Sequence, residues 1–205
     1  MVETLQAKDV TLRDLMDNFK LQLVQDEQFF LEWQEDLPSL TKFEKDSLDR
    51  VREGYFNLIT DPPLIEKTIQ LAVLSPLFFL AGFYLPPFQI KAEKSIEITA
   101  EDEGTIVRGQ IDILLIKEQF WVMAIESKRA SFSIEAGLAQ LLSYMLTSPH
   151  PDRPGFGMIA SGSDYIFVKL VRGETAKYST SEQFAMRNRN DLYEVFKILK
   201  RISQL

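Results

Sequence analysis

The chain has 205 residues, 45 % of them hydrophobic and 26 % charged, a formal net charge of −7 and no cysteine. That length suits one domain with a sizeable core, and the lack of cysteine excludes a disulfide framework or a thiolate metal site. The acidic balance runs against ordinary nucleic-acid binders, which present basic surfaces to phosphate.

No N-terminal signal pattern is read, so a cytoplasmic location is the default expectation. The longest apolar run, residues 71–85, is interrupted by Ser75-Pro76 and is too short to span a bilayer, so no membrane is expected.

Residues 1–60 read as a helical extension packing on the core. Thr11 and Asp14 fit a capping box ahead of Leu12, Leu15, Met16, Phe19 and Leu23 at helical spacing, and Thr41 and Glu44 fit another ahead of Leu48, Val51 and Tyr55. The aromatic stretch Phe29-Phe30-Leu31-Glu32-Trp33 reads as core packing. Asp61-Pro62-Pro63 marks a boundary, and residues 61–205 form the main domain.

A helix follows from Leu64 to Leu74, which Pro76 bends or ends. Its Glu66 reads as a first-turn acid favoured by the helix dipole. After Gly82 the pattern changes to strands, with residues 88–98 alternating as a strand at the sheet edge, then an acidic turn at Glu101-Asp102-Glu103-Gly104.

Two apolar runs come next, residues 109–116 and 120–128. Their length and Ile, Val and Leu content predict paired buried strands, yet they carry Asp112, Glu126 and Lys128. Buried charges cost several kcal/mol unless paired or metal-bound, so these three call for an explanation. With Lys117-Glu118-Gln119 as a three-residue turn, Ile116 faces Phe120 and Asp112 faces Ala124. Glu126 is then a diagonal neighbour of Asp112, roughly 7–8 Å away. Glu126 and Lys128 share a face. Two carboxylates so placed suit a hard divalent cation such as Mg²⁺, which uses few carboxylates and completes its shell with water and phosphate.

Asp112 with Glu126-Ser127-Lys128 resembles the D…E-x-K signature of the PD-(D/E)xK nuclease superfamily, also called restriction-endonuclease-like. Ile111 stands where that family often has proline. The following segment carries Gln140 and Tyr144 in a Q-x-x-x-Y pattern at helical spacing, which looks like the branch of type I restriction R subunits. The likeness covers roughly residues 62–171.

The resemblance implies an α/β (α+β) fold, with a restriction-endonuclease-like core built on a central mixed sheet of four to five strands flanked by helices. It implies Mg²⁺-dependent hydrolysis of DNA phosphodiesters, with Mn²⁺ as a substitute. Asp112 and Glu126 would hold metal, with the Ser127 carbonyl and Glu66 as further ligands. Lys128 would orient water or stabilise the phosphate, and Gln140 and Tyr144 would lie over the site. The plainer alternatives are a structural ion pair for the triad and a satisfied core hydroxyl for Tyr144. Lys91, Lys94, Arg108, Arg129, Lys169 and Arg172 are candidate phosphate contacts, with ordinary solvation as the simpler reading. Partners implied are DNA, a second copy of the chain, or a separate motor or specificity subunit, since no motor is encoded here. A non-catalytic module that binds nucleic acid or protein is the other reading.

Two more strands, residues 156–160 and 165–171, and a helix over residues 190–202 complete the expectation. Gly155-Phe-Gly157-Met-Ile-Ala160 matches a dinucleotide fingerprint on paper but opens a strand, the wrong context. His150 is the single histidine, in a proline-rich loop, so chemistries that need a catalytic histidine are disfavoured.

Overall fold

The computed structural model describes residues 3–62, 65–99, 105–117, 120–127 and 134–205. Among these, a nine-stranded, open, mixed sheet lies between two helical layers. The chain is therefore mixed α/β, and its sheet is larger than the four to five strands expected.

Strands β1 (Glu3–Gln6) and β2 (Leu21–Leu23) come from the region expected to be purely helical. Between them run a 3₁₀ turn, Ala7–Asp9, and α1 (Leu12–Phe19), whose Thr11/Asp14 capping box forms as the spacing predicts. α2 (Lys42–Leu58) opens on the Thr41/Glu44 box in the same way. The aromatic stretch folds as two short 3₁₀ turns, and Phe30 is buried in the core.

The helix expected from Leu64 begins, among the described residues, at Glu66. It runs as α3 (Glu66–Ile69), a π-helical turn (Gln70–Leu74) and α4 (Ser75–Leu80). Pro76 sits in the first turn of α4, where its missing N–H costs least, so the helix widens and continues instead of stopping.

The sheet is built from β3 (Phe88–Thr99), β4 (Thr105–Lys117), β5 (Phe120–Ser127), β6 (Gly155–Ala160), β7 (Asp164–Val171), β8 (Ala176–Thr180) and β9 (Phe184–Ala185). β3, β4 and β5 are successive antiparallel neighbours; β6 lies parallel to β5 after the crossover helix α5 (Ile134–Leu146). The chain then turns back through β7 and β8, and α6 (Asp191–Ser203) follows. β1 pairs in parallel with β4 and β2 with β8, so residues 3–23 cross the sheet from one end to the other.

That crossing explains α5. Its sequence is apolar nearly all round, as suits a helix buried on every side. One side packs on the sheet through Leu141, Leu142 and Met145, in a core that also takes in Ala7, Leu15 and Leu21 of the crossing segment. The opposite core joins α2, α4 and α6 to the other face through Phe78, Phe83, Ile113, Ile125, Met158 and Phe196.

Glycines on β4 and β6 let α5 approach closely. A Cβ on Gly109 would meet Ala7 Cβ at 2.5 Å and Tyr144 Cε1 at 2.9 Å, and one on Gly157 would meet Met145 Sδ at 2.7 Å. Neither the backbone-bound Ala7 Cβ nor the rigid Tyr144 ring can yield cheaply. Gly109→Ala is expected to destabilise the protein by about 1–3 kcal/mol in chemical denaturation. Gly54 lies exposed in α2 with open space around it, so Gly54→Ala is expected to stabilise by about 0.5–1 kcal/mol in the same assay.

Candidate functional site

The register of the β4–β5 hairpin differs from the expected one. Lys117 faces Phe120 and Leu114 faces Ala124, because the turn has two residues and the register shifts between Leu115 and Ile116. The last pair in that ladder is Ile113 with Ile125, so Asp112 and Glu126 are the next residues past its end, one on each strand, and Ala124 is paired with Leu114 where Asp112 was expected. Glu126 pairs with Ile159 of β6, a residue of the core under α5, and is 2 % exposed.

Asp112 sits where two strands change face together. Ile111 belongs to the core under α5, whereas Ile113 belongs to the opposite core, although alternate residues of a regular strand share a face. Across the ladder, Ala92 pairs with Ile113 and Lys94 with Ile111, which leaves Glu93 facing Asp112. Glu93 has φ of 54°, in the left-handed region that non-glycine residues seldom enter. Ile90 and Ile96, on either side of it, pack into opposite cores.

The same stretch of β4 lies where one neighbour gives way to another. β1 pairs with residues 105–108 and β5 with residues 113–117, on the edge away from β3. Tyr144 of α5 comes down beside this interval, its ring against Gly109. The phenol accepts a hydrogen bond from Gln140 Nε2 at 2.5 Å, and both residues are buried. Burial pushes the Tyr144 phenol up, the Glu126 charge adds to the rise, and Asp112 contributes less; hydrogen bonds from Gln140 and the Gln110 main chain pull the other way. Both acids therefore act on Tyr144, to which Gln140 is bonded.

On the other side stands Lys67 of α3. Its Nζ donates to Glu93 at 2.6 Å, and that bond, with smaller help from the charges of Asp112 and Glu66, holds the ammonium above its usual range. Glu66 is the first residue of α3, beside this group. Among the described residues no three His, Cys, Asp or Glu side chains stand close enough to form a metal cluster, so Glu66 is not gathered with Asp112 and Glu126 into one. Ser127 ends β5, with its main chain paired to Ala160. Lys128 and Arg129 lie outside the described residues, as does the acidic turn at 101–104.

A cleft of about 730 Å³ opens from Gln140 and Tyr144 along the α5 face of β3 and β4, and Lys8, Ser95, Arg108 and Gln110 line it. Arg108 there is bonded to Glu97 at 2.6 Å, both about half exposed. Two other cations expected as phosphate contacts are occupied structurally. Lys169 bonds Glu32, and the Arg172 guanidinium donates to the carbonyls of Leu146 and Ser148.

Sequence reasoning missed Lys67, Glu93 and Lys8. Only Gly109 left a trace, as a glycine inside a strand pattern, which often marks close approach of another group.

No family model and no curated protein matches the chain. Among the described residues no helix is long and apolar enough to cross a membrane.

The raised Tyr144 phenol carries a pH consequence. A folded-state pKa above the unfolded value means the native state keeps a proton that the unfolded chain releases, so stability falls as pH rises above about 10. The loss is about 1.4 kcal/mol per pH unit for each such tyrosine until its folded pKa is reached. Tyr144→Phe is expected to show a shallower alkaline decline than wild type in denaturation titrations from pH 9 to 11. Parallel curves would mean that the phenol ionises as easily in the fold as in the unfolded chain.

Proposed function

We propose that the chain is a Mg²⁺-dependent hydrolase of DNA phosphodiesters with a restriction-endonuclease-like core. The observation that carries the reading is that Asp112 and Glu126, next past the end of the β4–β5 ladder, both act on Tyr144, which with Gln140 lines the cleft. The succession of helix, three antiparallel strands, crossover helix and parallel strand supports the same core.

The donor set fits a hard cation. Asp112 and Glu126 offer carboxylate oxygens, the ligand type that Mg²⁺ takes, Glu126 from a buried position. These two would hold Mg²⁺, with the Ser127 carbonyl as a further oxygen donor. Bound there, the ion supplies positive charge against the phosphate and eases loss of a proton from the attacking water.

The protein's own groups do the positioning. Lys128 directs the attacking water or neutralises the phosphate as a compact cation. Gln140 holds the Tyr144 ring in place, and the phenol, kept neutral by burial, retains its proton as a hydrogen-bond donor. Lys8, Arg108 and Gln110 line a path for the sugar-phosphate backbone. Because the Arg108–Glu97 pair is half exposed and weak, Arg108 can exchange its carboxylate for a phosphate at little cost.

The net charge of −7 favours one second reading, a nuclease that cuts only when a separate subunit supplies the grip on DNA.

Cleavage of supercoiled plasmid and labelled linear DNA tests both. Wild type is expected to cut with Mg²⁺ or Mn²⁺ and not with EDTA, and Asp112→Ala and Lys128→Ala each to lower the rate at least about a hundredfold. Equal cutting by wild type and variants would sink the assignment. An inert wild type whose melting temperature rises with Mg²⁺, in a way that Asp112→Ala abolishes, would favour the recruited nuclease. Neither cutting nor a thermal shift would leave a non-catalytic binding module.

A further inference from the structure

Residues 68–90 contain no Asp, Glu, Lys, Arg or His, the longest such run in a chain that is 26 % charged. They form most of the helix that runs from α3 through the π-helical turn to α4, then the turn after it and the start of β3. The inner side of that helix is core, with Val73, Leu74, Leu77 and Phe78 buried.

Its outer side is apolar as well. Leu71 is 74 % exposed and Phe79 67 %, and in the turn after the helix Tyr84 is 46 % and Leu85 65 % exposed. Leu71, Ser75 and Phe79 follow one another at four-residue intervals, which lines them up along one side of the helix. The turn lies against this row: the Phe79 and Tyr84 ring centroids are 6.2 Å apart, and the Ser75 and Tyr84 hydroxyls share a hydrogen bond of 2.8 Å. Main-chain bonds from Leu85 to Gly82 and from Phe88 to Leu85 fix the turn, so the surface is shaped before any partner arrives.

Singly scattered exposed apolar residues are ordinary, but a contiguous group marks a contact surface. With the exposed Pro86 and Pro87, these side chains present roughly 500 Å² of apolar surface, against the 800 Å² or so that each partner gives to a stable interface. Partly exposed Ala72, Pro76 and Leu80 beside them can supply the rest.

Charge decides what covers this face. The stretch offers no cation to hold an anionic partner and no acid to hold a basic one. Two copies of a chain with net charge −7 repel each other, and here they can meet without burying like charges. A two-fold pair also needs only one patch, used by both copies. We propose that this face packs against the same face of a second copy, forming a two-fold dimer. The pairing does not rest on the nuclease reading.

The test is sedimentation equilibrium of the purified full chain. At about 50 µM it is expected to sediment at twice its mass of 23.6 kDa. Leu71→Glu and Phe79→Glu are each expected to weaken self-association at least about tenfold while keeping the wild-type circular dichroism. Leu23→Glu, also at an exposed leucine but on β2, five strands from β4 in the sheet, is expected to leave the dimer unchanged. Where one variant on the face fails to fold, the other carries the test. A monomeric wild type at about 50 µM would overturn the proposal, as would a dimer that survives both face substitutions or one that Leu23→Glu loosens equally. So would a monomer that co-sediments with phosphatidylcholine vesicles through Leu71 and Phe79, which would give the face to a lipid surface.

Discussion

The left-handed residue Glu93, facing Asp112 across the β3–β4 ladder, is the constraint on which the candidate site depends. A non-glycine residue there costs about 1–2 kcal/mol and persists only where its surroundings over-determine it. Regular pairing on both sides of the rung does so, assisted by Gln110 Nε2 donating to the Glu93 carbonyl at 2.9 Å. The twist turns both strands over at one rung. Ile111 can then enter one core and Ile113 the other, and Asp112 is left at the seam between layers. A regular strand would place Ile111 and Ile113 in the same core and give the acid a single face. At the seam, Asp112 lies within electrostatic reach of both Lys67 on α3 and Tyr144 on α5.

The second requirement is a helix that cannot shift. Tyr144 stays within electrostatic reach of the acids only if α5 keeps its height above the sheet, and Gly109 and Gly157 set that height by admitting the helix closely. The N-terminal segment closes the arrangement from above. It pairs with β4 at one end of the sheet and with β8 at the other, and passes over α5 between them. Its short strands add little pairing of their own, but they hold Ala7 and Leu15 against the helix. The segment is therefore part of the structure that positions Tyr144, and it also brings Lys8 to the cleft.

Much of this was legible where the information is local. Both capping boxes, the apolar runs of β4 and β5, the helix with Gln140 and Tyr144, and the strands after Gly155 follow from periodicity and turn chemistry. What escaped was set by distant partners. β1 and β2 are three or four residues long and exist because β4 and β8 offer parallel edges, which no pattern within residues 3–23 announces. The hairpin register escaped for a related reason: the turn gives up one residue and the strand regains it as a shift beside Trp121, which alternation alone does not reveal. The face change at Asp112 looked in sequence like a continuous apolar run, and such a run is read as burial on both sides whether or not the strand turns over. Lys67 and Glu93 carried no signal, because an exposed Lys–Glu pair between a helix and a strand far apart in the chain looks like ordinary solvated charge.

The acidic net charge weighs differently once the cations are located. At physiological ionic strength charges act over about 8 Å, so distant acids matter little to a ligand at the cleft. What counts is the local set. Several basic residues already serve the fold: Lys169 with Glu32, Lys200 with Glu44, and Arg52 and Arg172 on main-chain carbonyls. Lys8 and Arg108 line the cleft, and Lys67 stands beside Asp112. If the proposed DNA substrate is correct, so small a basic set would give its backbone a shallow and salt-sensitive hold, since each neutralised phosphate adds its own salt dependence. On the proposed nuclease reading, the grip on a long polyanion would then have to come from a second copy or another subunit.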